Sequence, residues 1–152
     1  GWTWQPTDAD PAMLPVIDAR CGSLRNVLSA LPLDVSQRRW PLGAAQAAPY
    51  GAVYCANLLH ISPWSSCPAL VKGAAAHLGP KGLLLLYGPF RRDGLPTAPS
   101  NEAFDLDLKA RNAEWGLRRL SAVEHEAAAF GFALQEVVDM PANNLLVVFS
   151  AA

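Results

Sequence analysis

Net charge of either sign is nearly absent from this sequence of 152 residues: 12 Lys and Arg face 13 Asp and Glu, for a formal charge of -1. A protein that tracks a phosphate backbone or an anionic bilayer needs a basic excess, so neither nucleic acid nor a membrane is an expected partner. Long apolar runs are missing too. Stretches such as 82–86 and 145–149 fall far short of the ~20 residues that a spanning helix needs, and the chain is expected to be soluble. Cysteine is sparse: the three at 21, 55 and 67 form no C-x-x-C pair and no ligand pattern with the histidines. That argues against a disulfide framework and a structural zinc, and for reduced thiols in the cytoplasm. Also lacking are the G-x-S-x-G elbow of a hydrolase, the G-x-x-x-x-G-K-[ST] loop of a phosphate-handling enzyme and the H-x-E or H-E-x-x-H of a metal centre. No repeat, heptad or low-complexity linker interrupts the chain.

What is present is a composition 51% hydrophobic and 16% charged, enough to bury a sizeable core in one domain spanning 1–152. Tryptophans at 2 and 4 alternate with polar residues, the period of a half-buried strand over 2–6. Asp10-Pro11 then reads as an N-cap with proline in the first helical turn, and that helix should end near Cys21-Gly22. A second strand is expected over 26–33, broken near Pro32, followed by a polar loop past Trp40 and Pro41 to Pro49. Residues 50–60 have the continuous apolar character of a strand buried on both faces, which implies a parallel sheet covered by helices. A helix over 65–77, a Gly79-Pro80-Lys81-Gly82 turn, a buried strand over 83–90 and helices over 104–110 and 121–130 follow. Strands over 132–138 and 145–150 are joined by "DMPANN", too short for a crossover helix, so they must pair antiparallel. The fold class is α/β, doubly wound and mostly parallel, with a C-terminal antiparallel hairpin.

These segments resemble a family. "DADPAML" at 8–14 is similar to the end of the second strand in class I S-adenosylmethionine-dependent methyltransferases, a Rossmann-like sheet. "LDV" at 33–35 resembles that fold's adenine-contacting loop, "CANLLHI" at 55–61 its fourth-strand motif, and "LGPKGLLLLYGPF" at 78–90 its turn and fifth strand. More narrowly, "WQPTDAD", "YGPF", "SNEAFDLDLKARNAEWGLR" and "DMPANN" together resemble the group filed as domain of unknown function 938, which includes the animal protein called methyltransferase-like 26. The resemblance implies a strand order of 3-2-1-4-5-7-6. The first strand and its glycine-rich loop have no counterpart in these 152 residues. The resemblance therefore implies some tens of residues ahead of Gly1, and weak cofactor affinity for the chain as it stands.

The family would bind S-adenosylmethionine and transfer its methyl group to an acceptor that the sequence does not identify. Asp8, at a strand's end, is placed to accept hydrogen bonds from ribose hydroxyls, or else it caps the next helix with Asp10. Asp34 is suited to the adenine amino group or to shaping a turn, and Val35 to adenine through its amide and apolar face. Asn57, Leu58 and His60 follow a strand, where such folds bind ligands; His60 could equally be structural. For the acceptor the resemblance implies Tyr87, Asn101, Phe104, Arg111, Asn112, Trp115, Asn143 and Asn144, all expected in loops, as is Asp105. Alternatively, Arg111 pairs with Asp105 or Glu114 and Trp115 pins the loop. Proton acceptors for the reaction would be His60, Tyr87 or Asp105, while His77 and His125 read as ordinary helix residues. Two rival functions remain: a catalytically silent scaffold that recruits a partner, and a nicotinamide-dependent oxidoreductase, which the antiparallel hairpin disfavours.

Overall fold

A computed structural model of the chain describes residues 1–42 and 49–152, which fall into two compact units, Gly1–Ala47 and Ala48–Ala152. Residues 43–48 of the loop expected up to Pro49 lie outside the described residues.

In the first unit, β1 (Thr7–Asp8) pairs in parallel with β2 (Leu31–Pro32), and a lone bridge between Trp4 and Val27 extends the contact toward the N-terminus. The two expected strands do pair, but their regular ladder is two residues long. Pro6 and Pro32 each remove an amide donor, leaving Leu31 to donate to the Pro6 carbonyl at 3.0 Å and Leu33 to that of Asp8 at 2.9 Å. Trp2 and Trp4, expected half-buried, are 68% and 50% exposed. Trp2 precedes the ladder and Trp4 is held by a single bridge, so no packed layer closes over either indole. The cap sits where local chemistry puts it: Asp10 Oδ1 accepts from the Ala12 amide at 2.9 Å, and Pro11 opens a 3-10 turn leading into α1 (Leu14–Cys21). Asp18 of α1 accepts from the Ala30 amide at 2.7 Å and ties the loop before β2 to the helix.

The second unit is built on β3 (Tyr50–Ala56), β4 (Leu78–Gly88), β7 (Phe132–Met140) and β8 (Asn144–Ala151), in the order β3-β4-β8-β7. A short parallel pair, β5 (Phe90–Arg91) with β6 (Arg118–Arg119), lies apart from that sheet, and three helices accompany the strands: α2 (Ser66–His77), α3 (Pro99–Arg111) and α4 (Leu120–Ala129). β3 and β4 are parallel, while β8 runs antiparallel to both β4 and β7. The last strand thus inserts between β4 and its own hairpin partner, as the 4-5-7-6 end of the expected order requires. Leu84 and Leu86 of β4 alternate with half-buried neighbours, as do Val147 and Phe149 of β8. With Val71 and Ala74 of α2 and Val123 and Ala127 of α4 they form a closed core. Each large side chain there contributes about 1.5–3 kcal/mol by leaving water.

Four expectations need correction. The strand expected over 50–60 stops at Ala56 and is not buried on both faces: Tyr54 is 48% exposed, because β3 is an edge of the four-stranded sheet. The glycine-proline turn is an excursion within β4, where the register moves from Tyr50–Leu78 to Ala52–Leu83 and Lys81 adopts φ 60°. Pro89 then divides the expected strand over 83–90, setting β5 apart. Finally, α3 begins at Pro99 and not near 104, with proline in its first turn. The earlier start makes Asn101 helical, the end at Arg111 includes that residue too, and Phe104 and Asp105 lie on the helix and Tyr87 on β4, not in loops. Among the described residues no helix is long and apolar enough to cross a membrane.

Candidate functional site

Where β3 ends, Asn57 turns left-handed at φ 55° while its amide donates to the Tyr87 carbonyl at 2.9 Å. Leu58 leads into a 3-10 turn, Leu59–Ile61, which carries a buried His60 back over Gly88. A Cβ at Gly88 would lie 3.4 Å from both Cε1 and Nδ1 of His60, at the edge of ordinary van der Waals contact, and it is φ 156° at this position that favours glycine. Phe104 of α3 meets the imidazole edge-on, with centroids 5.6 Å apart. Burial, and then the Arg118 cation, hold the His60 pKa below the ordinary imidazole value, so the ring is neutral near pH 7.

The hairpin connection closes the opposite side. Ala142 and Asn143 have φ 59° and 57°, and the Asn143 carbonyl accepts from the buried Asn101 amide at 3.0 Å. Asn143 Nδ2 donates to Ser100 Oγ at 3.1 Å, and Asn144 Nδ2 to the Tyr87 hydroxyl at 3.2 Å. Asn57, His60, Pro89, Phe104, Asn101, Asn143 and Asn144 line an open cleft of about 480 Å³. Three of the four non-glycine residues with positive φ in the described chain are at this cleft. Such backbone costs about 1–3 kcal/mol per residue and clusters where function maintains it.

Asp105 belongs to a different arrangement. Its Oδ2 lies 2.9 Å from Arg91 Nη2 and 2.6 Å from Lys109 Nζ, and Oδ1 accepts from the Leu117 amide at 2.7 Å. Burial raises its pKa, but these three partners outweigh it and hold the carboxyl below the usual range. Arg91 also grips Glu102 with two hydrogen bonds, at 2.8 and 2.7 Å. Arg111 pairs with neither expected partner; it bridges Asp107, one turn back, at 2.7 Å. Asn112 Oδ1 accepts from the Glu114 amide, and the Asn112 carbonyl from that of Trp115, shaping a turn. Arg111 and Asn112 are exposed, Trp115 is half-buried, and none of the three lines the cleft.

In the first unit, Asp8 stands at the C-terminal end of β1, where its Oδ1 accepts from the Asp10 amide at 2.8 Å. Asp34, just beyond β2, accepts from the Ser36 hydroxyl and amide, which hold its pKa down. Half-buried Val35 gives its carbonyl to Trp40 Nε1 at 3.3 Å. Among the described residues no three His, Cys, Asp or Glu side chains group as a metal site, and Cys21, Cys55 and Cys67 are free thiols.

A parallel α/β sheet closed by an antiparallel hairpin, with a ligand-sized cleft at a strand's C-terminal end, defines a Rossmann-like class shared with solved methyltransferases. An O-methyltransferase family 2 protein from Planctomyces limnophilus, solved with apigenin, is similar over 99% of this chain and 43% of its own, at TM-score 0.82 and 18% identity. An O-methyltransferase family protein from Burkholderia thailandensis is similar over 99% and 44%, at TM-score 0.79 and 15% identity. LepI, solved in complex with SAM, is similar over 97% and 36%, at TM-score 0.76 and 14% identity. The chain thus spans less than half the length of these proteins. Residues 1–151 match the family model described as Protein of unknown function (DUF938), and the chain belongs to that family.

Proposed function

We propose that the chain is the core of a methyltransferase that uses S-adenosylmethionine, with the cleft around His60 holding the methyl acceptor. One observation supports this above all: a buried, neutral imidazole at the end of a parallel strand, where non-glycine backbone is held left-handed, in a fold shared with O-methyltransferases. Open α/β sheets take their ligands at such strand ends. Within the family, the motifs at 100–118 and 139–144 support placement with the methyltransferase-like 26 group.

The residues of the first unit fit the nucleoside part of that cofactor. Asp8 uses Oδ1 on the Asp10 amide, and its other oxygen has no protein hydrogen bond among the described residues, which suits a ribose hydroxyl. Asp34 stays charged and suits the adenine amino group, with Val35 beside it. In the second unit, Asn57, Leu58 and His60 are the proposed cofactor contacts. S-Adenosylmethionine, when bound, supplies an electrophilic methyl carbon. The protein's part is to align the acceptor ~3 Å from that carbon, exclude water and take up a proton. Asp105 is committed to two cations and an amide, and the Tyr87 hydroxyl accepts from Asn144, so the proton acceptor is His60. Asn101, Asn143, Asn144 and Phe104 line the acceptor side; the asparagine NH₂ groups are engaged by the Asn143 carbonyl, Ser100 Oγ and the Tyr87 hydroxyl, so their amide oxygens are what suits an acceptor's donors. The free thiols support a cytoplasmic location.

The test is transfer of a labelled methyl group from S-adenosylmethionine by the full-length protein into fractionated cell extract. A labelled fraction should appear, and His60→Ala should lower its rate by about 10²-fold or more. Cofactor binding with no labelled fraction would favour the silent scaffold, and binding of NAD alone an oxidoreductase.

A further inference from the structure

Arg118 reaches back across the fold to the turn that carries His60. Its Nε donates to the Leu59 carbonyl at 2.9 Å, and its Nη2 to the carbonyls of Ser62 at 2.6 Å and Glu114 at 2.7 Å. Leu59 and Ser62 bracket His60 in the chain, and the His60 carbonyl itself accepts from the Gly116 amide at 3.0 Å. Trp64 lies against the guanidinium, 5.7 Å from ring centroid to Cζ. Arginine's planar fork is ordinarily matched to a carboxylate or phosphate. Here it meets three backbone carbonyls, and Arg118 takes part in none of the ion pairs of the described residues.

We infer that Arg118 is the positioning residue for His60: its fork fixes the Leu59–Ile61 turn and so the place of the imidazole in the cleft, while its unpaired charge stands behind that turn. For catalysis this rests on His60 being the proton acceptor proposed above. The ionisable groups around the turn are few. Asp105 of α3 is tied to Arg91 and Lys109, and Glu114 meets Arg118 through its carbonyl. The Cys67 thiol of α2, near Glu126 of α4, is pushed up to about 12 by burial and is protonated at pH 7. Asn57, Gly88 and Phe104 adjoin the imidazole without charge. Of the charged groups, Arg118 is the one that acts on His60, and it disfavours the imidazolium.

The test follows His60 by NMR of histidine-labelled protein in the wild type, Arg118→Gln and Arg118→Lys. In Arg118→Gln the His60 midpoint should rise toward the ordinary imidazole value. In Arg118→Lys the charge remains and the fork is lost, so the midpoint should stay near wild type. The His60 resonances should nonetheless shift, and kcat of the full-length enzyme should fall about 10-fold or more with KM nearly unchanged. An unmoved His60 midpoint in folded Arg118→Gln overturns the inference. So do wild-type resonances in Arg118→Lys, a comparison that holds even if the glutamine variant does not fold. Should His60→Ala retain full methyl transfer while both NMR effects appear, Arg118 still positions the ring and the proposed catalytic role of His60 is what fails.

Discussion

Replacing Asp105 with asparagine isolates the buried charge that holds α3 against the 112–117 segment. The carboxylate is 2% exposed, and a Cβ built on Gly116 would lie only 2.8 Å from its Oδ1, so the side chain packs against backbone with no room to turn. Asparagine keeps an oxygen for the Leu117 amide but presents an NH₂ to Arg91 and Lys109. The Arg91 contact is a charge-assisted hydrogen bond with a partner only 24% exposed, worth about 1.5–3 kcal/mol. The Lys109 contact is half-exposed and contributes at most about 1 kcal/mol. Arg91 retains Glu102, which limits the damage. The sum, about 2–4 kcal/mol, corresponds to a melting temperature lower by roughly 10 °C for a domain of this size. Because the folded pKa of Asp105 lies below its ordinary value, the stabilisation is complete above pH ~4 and fades as pH falls through the lowered value. Thermal melts of wild type, Asp105→Asn and Lys109→Met from pH 3 to 7 check this. A drop below about 2 °C at pH 7, a Lys109→Met effect as large as that of Asp105→Asn, or a gap that widens toward low pH would refute the reasoning.

The strain at the hairpin connection gives a change of opposite sign: Ala142→Gly relieves about 1–2 kcal/mol of left-handed backbone against about 0.5–1 kcal/mol of glycine entropy, so calorimetry should show melting raised by a few degrees. Gly88→Ala sets a side chain on backbone at φ 156°, beside His60, and should lower stability by about 1–3 kcal/mol. Its rate of methyl transfer should fall by more than the loss of folded protein explains, measured by labelled transfer beside the melt. Since His60 is held neutral, activity should be level above its lowered pKa and decline below it, which a pH profile of kcat/KM reports.

Where structure follows from neighbours in sequence, it was legible. Asp10 and Pro11 announce the start of a helix because cap and first turn are local, and "DMPANN" announces a hairpin because six residues cannot cross a sheet. The start of α3 was obscured by a stretch rich in Gly, Pro and Ser, although proline at the first helical position is itself a start signal. The partner of Arg111 was also within reach, since Asp107 stands at the helical spacing of four. Arg91 and Arg118 carried no comparable signal. Arg118 finds carbonyls 56 and 59 residues away, and the strand pair that places both arginines has no apolar alternation to betray it. Site residues on the ends of β3 and β8 could be named from the sequence. That Arg111, Asn112 and Trp115 lie off the cleft depends on the length of α3, which only the three-dimensional structure gives.

Cofactor binding tests the central claim most directly. In titration calorimetry of the full-length protein, S-adenosylmethionine should bind, NAD should not, and Asp8→Ala should weaken the S-adenosylmethionine complex by about 10-fold or more, the value of hydrogen bonds to a carboxylate. NAD binding alone, or unchanged S-adenosylmethionine affinity in a folded Asp8→Ala protein, would contradict it.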